Sequence, residues 1–229
     1  MPETAPAAYT SLAQRLRMAG RALARANLVH AYGHASARLD AGSFLATPAK
    51  PLGLIARGES PVRCPTSGAL PPEALPEILI HQQIYSRRGE IGGVVRFQSP
   101  HLMSLSTLGC TPRARHGFGA YFAPCPPLYA NPRLVRDAAS AVALVDQLGT
   151  ARAIVMRGNG AVTVGATLEE ALTMAWYLED AARVELEVLA TQQEGQELTP
   201  VEVRDRAVTA GRLIERMWDY LTAGDPEPP

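Results

Sequence analysis

The segment VVRFQSPH, residues 94–101, decides how the rest of the chain is read. Val94 and Val95 are apolar and β-branched and follow Gly92–Gly93, the pattern of a strand buried on both faces. Ser99–Pro100 ends that strand and opens a helix, because proline suits the first helical turn. Between these signals stand Arg96 and Gln98, a charge and an amide at the tip of a core strand. Binding sites in α/β domains are built at such strand ends, so both side chains are candidate functional residues.

Upstream, "EALPEILIHQQIYSRR" (73–88) predicts a helix opening near Pro71–Pro72, with Pro76 leaving its start open and Leu75, Leu79 and Ile84 facing the core. Farther back, Thr10 or Ser11 is placed to cap a helix with Leu12, Leu16, Ala19 and Leu23 on one stripe, fading near Asn27. "GHASARLD" and "GSFLATP" read as two short strands around a turn at Asp40–Gly42. Residues 48–72, rich in proline and glycine, read as edge strands and loops.

Downstream come a helix near residues 132–148 and two strands, "ARAIVMR" and "AVTVG". Thr167 with Glu170 predicts a capping box on a long helix packed through Leu168, Leu172, Trp176 and Ala182. A last helix is expected from Thr199–Pro200 to about Gly224, followed by a disordered tail over 224–229. Helices and strands alternate without repeats or linkers, so residues 1–229 read as one α/β domain, core 10–190, with a sheet covered on both faces.

Composition excludes several classes. Lysine plus arginine equals aspartate plus glutamate at 22 each, so no overall field favours nucleic acid or an anionic membrane. Three cysteines are too few for a disulfide framework, and no apolar run reaches the length of a membrane span. With no secretory signal pattern at the start, the expected location is the cytoplasm.

Five segments in order, "GHASAR" (33–38), "LATPAK" (45–50), "EILIH" (77–81), "VVRFQSP" (94–100) and "MRGNGAVTVGATLEEAL" (156–172), resemble the class II aldolase/adducin family over roughly residues 10–190. The resemblance implies a three-layer α/β/α fold with a central, mainly antiparallel sheet, and a homotetramer with sites between subunits. It also implies that the three zinc-binding histidines of that family fall on Arg96, Gln98 and Asn159. Zinc needs imidazole, thiolate or carboxylate donors, and a guanidinium has no lone pair to offer. No metal ligand is therefore expected at these positions and no cofactor is favoured, with zinc, manganese or iron as the alternative.

Glu77 matches the family's acid/base. Arg96 puts a fixed cation where the metal would sit, suited to a carboxylate or to developing negative charge. His34, Arg38 and Lys50 come from segments that line the family's substrate pocket, and "TPAK" departs from its phosphate loop. The chain is thus expected to bind a small carboxylate and not a sugar phosphate. Motif style is nearest to branches that decarboxylate or oxygenate aromatic carboxylates.

The leading expectation is a metal-independent carbon–carbon lyase, a decarboxylase of a small, in some cases aromatic, hydroxy-carboxylate. Its catalytic residues would be Glu77, Arg96 and His116, and its substrate contacts His34, Arg38, Lys50, Gln98 and Asn159. Each has a plainer alternative: Arg96 as a strand-end salt bridge, Glu77 as its partner, His81 as a packed core histidine, Gln98 and Asn159 as loop hydrogen-bonders. Two other functions remain open: an aldolase or iron oxygenase with a metal site rebuilt from His34, Glu77, His81 or His116, and a non-catalytic scaffold like the adducin head. His30 and His101 read as peripheral, and Cys110 as a packing residue.

Overall fold

Every central strand alternates its side chains between two apolar layers, and that alternation sorts the whole molecule. The computed structural model describes residues 7–227. Its strands are β1 (His34–Arg38), β2 (Ser43–Ala46), β3 (Val62–Pro65), β4 (Gly93–Phe97), β5 (Leu128–Tyr129), β6 (Ala153–Met156) and β7 (Ala161–Gly165). They form one sheet in the order β3-β2-β1-β4-β7-β6-β5. All neighbours are antiparallel except β5 and β6.

On one face, Ala35, Leu45, Val95, Phe97, Ala153 and Val155 pack under helices α1 (Ala7–Arg25), α3 (Pro100–Thr107), α5 (Leu168–Ala190) and α7 (Leu213–Thr222). On the other, Phe44, Val94, Ile154, Met156, Val162 and Val164 pack under α2 (Ile78–Arg87) and α4 (Ala138–Leu148). The expected three-layer arrangement with a mainly antiparallel sheet is the observed one.

Local differences have local causes. Helix α1 begins at Ala7, so neither Thr10 nor Ser11 caps it. It ends where Asn27 takes a left-handed φ of 57°. Helix α2 starts at Ile78 and not near Pro71, the prolines holding 71–77 in turns. Thr167 accepts from the Glu170 amide, but the Glu170 carboxylate bonds Ala166 N and Arg152 and leaves the Thr167 amide alone, giving half of the expected box. The complete capping box is at Thr199 and Glu202, opening α6 (Pro200–Arg206).

The single last helix expected over 199–224 is broken. Residues 207–212 carry β-branched Val208 and Thr209, then Gly211 and Arg212 at φ of 80° and 59°. The tail also departs from expectation. Asp225 and Glu227 are buried against α1, where Glu227 accepts from Arg17 and Arg21 and Asp225 from Arg21 and Arg25. Residues 228–229 lie outside the described residues. The two-residue β5 had no sequence signal.

Candidate active site

His34 and Arg96 are register partners on adjacent strands, so both point to the α2 side of the sheet at the same end. They line a cavity of about 390 Å³ with Tyr32, Lys50, Leu75, Glu77 and Arg136. That volume is the size of a small-molecule site. Tyr32 and Lys50 arrive on loops flanking β1 and β2, Glu77 on the residue before α2, and Arg136 on the loop before α4. A larger groove of about 690 Å³ lies between the start of α5 and α7, lined by charges such as Arg152 and Glu170 that pair with each other.

Arg96 is 5% exposed. Its Nη2 donates to Asn159 Oδ1 at 2.6 Å and to Asn159 O at 3.3 Å, and Gln98 Nε2 shares the same Oδ1 at 3.0 Å. No carboxylate among the described residues lies within ion-pair distance of Arg96. Burial pushes its pKa down to about 10, partly opposed by the field of Glu77. Asn159 reaches the guanidinium because the β6–β7 turn presses against β4: a Cβ on Gly160, φ 80°, would lie 1.9 Å from Phe97 O.

Glu77 lines the cavity, but its charge is engaged at the rim: Arg136 Nε donates to its Oε1 at 2.7 Å. Lys50 Nζ bonds Glu59 at 3.1 Å on the cavity rim. Beneath the cavity runs a buried polar chain. His34 Nδ1 meets His81 Nε2 at 2.7 Å, His81 Nδ1 meets Ser36 Oγ at 2.5 Å, and Ser36 Oγ meets Tyr85 Oη at 3.0 Å. Burial, with the charge of Arg96 nearby, pushes His81 down to about 3 and His34 well below the ordinary histidine value.

Two expected site residues are elsewhere. Arg38 donates to the carbonyls of Ile91, Tyr85 and Arg88 and lies over the Tyr85 ring, so it closes the end of α2 and does not line the cavity. His116 sits with Phe118 and Asp180 against α5, on the opposite face of the sheet from Glu77 and Arg96. Within one chain it cannot serve them. His34, Lys50, Glu77, Arg96, Gln98 and Asn159 are brought together. Arg136, Ser36 and Tyr85 were not singled out from sequence, although Ser36 lies two residues from His34 and therefore on the same strand face.

The donor set does not fit a divalent metal. The three positions that the resemblance aligns with zinc ligands hold a guanidinium and two amides tied to one another, and no three His, Cys, Asp or Glu side chains among the described residues gather as a metal site. The arrangement suits an anion facing a buried cation.

Residues 14–186 match the family described as Class II Aldolase and Adducin N-terminal domain. The chain belongs to that family. The fold is shared with an aldolase II superfamily protein from Pseudomonas syringae (TM-score 0.81, 18% identity, covering 95% of this chain and 93% of that one). It is shared as well with L-fuculose-1-phosphate aldolase from Thermus thermophilus (TM-score 0.71, 26% identity, 82% and 98%). A third is YgbL from Escherichia coli, described as a candidate aldolase, epimerase or decarboxylase (TM-score 0.75, 20% identity, 89% and 100%). No curated protein matches the chain.

Proposed function

We propose that this class II aldolase family member is a lyase that decarboxylates a small hydroxy-carboxylate, aromatic acids included, without routing the step through a divalent metal. The observation that carries this reading is Arg96, a buried guanidinium with no carboxylate among the described residues in ion-pair reach, lining a cavity of substrate size. A desolvated cation lacking an anion is costly, and an anionic substrate offsets that cost.

For a hydroxyaromatic acid the steps balance as follows. Glu77 takes the proton of the hydroxyl next to the carboxylate-bearing carbon, and Arg96 holds the resulting oxyanion. Negative charge reaches the ring carbon, which takes the proton back from Glu77. The bond to the carboxylate then breaks and carbon dioxide leaves. Its electron pair restores the ring and leaves a phenolate beside Arg96, which solvent protonates. Preorganised charge of this kind is typically the largest catalytic contribution. Lys50 extends the positive side of the cavity toward the substrate carboxylate, and Gln98 and Asn159 hold Arg96 in place. The reading includes the homotetramer implied by the family resemblance and the cytoplasmic location expected from the sequence.

The test is carbon dioxide release from a panel of small hydroxy-carboxylates. Arg96→Ala should abolish turnover with an unchanged circular dichroism spectrum, and Glu77→Gln should lower kcat. Full activity in Arg96→Ala refutes the proposal. One tightly bound metal ion per chain, with activity lost on chelation, points to a metal-dependent aldolase or oxygenase. Failure of every carboxylate to raise Tm points to an adducin-like scaffold.

A further inference from the structure

The buried chain His34–His81–Ser36–Tyr85 has no part in the reaction above, and its hydrogen atoms can be assigned by counting. Each of its three contacts takes one hydrogen. The Tyr85 hydroxyl is buried, and Ser36 is its partner among the described residues. If Tyr85 donates to Ser36, Ser36 donates to His81 Nδ1, and His81 Nε2–H donates to His34 Nδ1, every hydrogen inside the chain is satisfied. His34 then carries its proton on Nε2. The reverse direction strands the Tyr85 hydrogen, and letting Ser36 accept twice strands its own. In either direction His34 Nε2 meets no partner among the described residues, as donor or as acceptor, but it faces the cavity. The reverse also strands the Tyr85 hydrogen in the core, at a cost of about 1–3 kcal/mol that selects the first arrangement.

His34 Nε2 has no partner among the described residues, although the ring is 2% exposed and lines the cavity beside Arg96. The opposite ring edge is taken by His81, so Nε2 is the atom left for an occupant. We propose that His34 is a fixed, neutral Nε2–H donor that binds a carboxylate or carbonyl oxygen alongside Arg96, with His81, Ser36 and Tyr85 as the positioning residues that set its tautomer. This rests on the reading of the cavity as a carboxylate site. Burial keeps both histidines neutral and pushes the Tyr85 phenol up. The chain therefore holds its polarity and does not pass a net proton, since that would leave a buried tyrosinate. Arg96 supplies charge, and His34 adds direction, which favours an acceptor with two oxygens on one carbon.

The chain has five histidines, so their ring signals can be assigned by nitrogen-15 labelling and long-range proton–nitrogen NMR. In the ligand-free protein, His34 and His81 should both show the Nε2–H pattern. Ser36→Ala, a mild truncation, should make the Nδ1–H form of His34 detectable. Added salicylate should shift the His34 Nε2–H signal, and Ser36→Ala should weaken its binding several-fold. Nδ1–H on His34 in the native protein, an unchanged pattern in Ser36→Ala, or salicylate binding that leaves the His34 signal unmoved would each overturn the inference. Nε2–H on His34 without any salicylate binding refutes instead the carboxylate reading of Arg96.

Discussion

Replacing Arg96 by methionine should leave the protein as stable as before or more so, an unusual outcome for removing a buried, hydrogen-bonded side chain. Burial lowers the Arg96 pKa from the ordinary guanidinium range to about 10. At about 1.4 kcal/mol per pH unit, that is a penalty of about 3 kcal/mol. The penalty is present in full at every pH below the folded value, because both folded and unfolded states are then protonated. It disappears only as pH rises from the folded value toward the unfolded one, so a comparison at neutral pH registers all of it. Against this, methionine loses the bonds to Asn159, worth about 2 kcal/mol for a charged donor, although Gln98 still satisfies Asn159 Oδ1. The net expectation is a gain of about 1 kcal/mol, or a Tm rise of roughly 2–4 °C for a chain of this size. Urea denaturation and thermal melts of both proteins measure it, with salicylate expected to raise Tm of the native protein alone. A structural salt bridge predicts the opposite sign, since breaking a buried pair costs about 3–5 kcal/mol. A loss of that size in Arg96→Met would refute the view of Arg96 as a site held open for an anion.

Other outcomes follow from the same geometry. Glu227→Ala should destabilise by about 3–5 kcal/mol in urea, because it leaves Arg17 and Arg21 buried without their carboxylate. Burial alone would raise the Glu227 carboxyl, but its bonds from Arg17 and Arg21 win and hold it below 4.5. A depressed carboxyl gives stability above the unfolded value that is lost as pH falls below it, so native protein should lose more than Glu227→Ala on acidification below 4.5. Gly160→Ala should unseat the β6–β7 turn, lowering Tm and weakening salicylate binding together, because its Cβ would overlap the Phe97 carbonyl. Lys50→Ala should leave Tm within about 1–2 °C, its ion pair with Glu59 being half-exposed, while salicylate binding weakens.

The sheet was legible because period-two alternation and turn residues act locally. "GHASARLD", "GGVVRF" and "AVTVG" became strands where the pattern put them. The break at 207–212 was legible in Val208, Thr209 and Gly211, yet the apolar spacing around it masked the signal. The tail was not legible: "DPEPP" has the composition of a solvated end, and only the fold brings three arginines of α1 against it. The cavity divides in the same way. His34, Arg96 and Glu77 sit on elements whose ends the sequence locates. Arg38 and His116 were assigned by proximity to motifs. Arg38 shares the strand face of His34 but lies four residues along, at the other end of β1, and His116 lies on the opposite sheet face, placements that only the assembled structure fixes. Arg136 lies 59 residues from Glu77 and carries no local signal.

The clasp of Asp225 and Glu227 on α1 has a consequence for biosynthesis. The arginine face of α1 must wait for carboxylates made much later before its charges are met, with 210 positions separating Arg17 from Glu227. Until then α1 presents unmatched cations along a helix whose other face seeks the sheet. Docking of that helix is therefore expected to finish late, after translation of the carboxylates, and a stalled or prematurely ended chain would expose the sheet face that α1 covers.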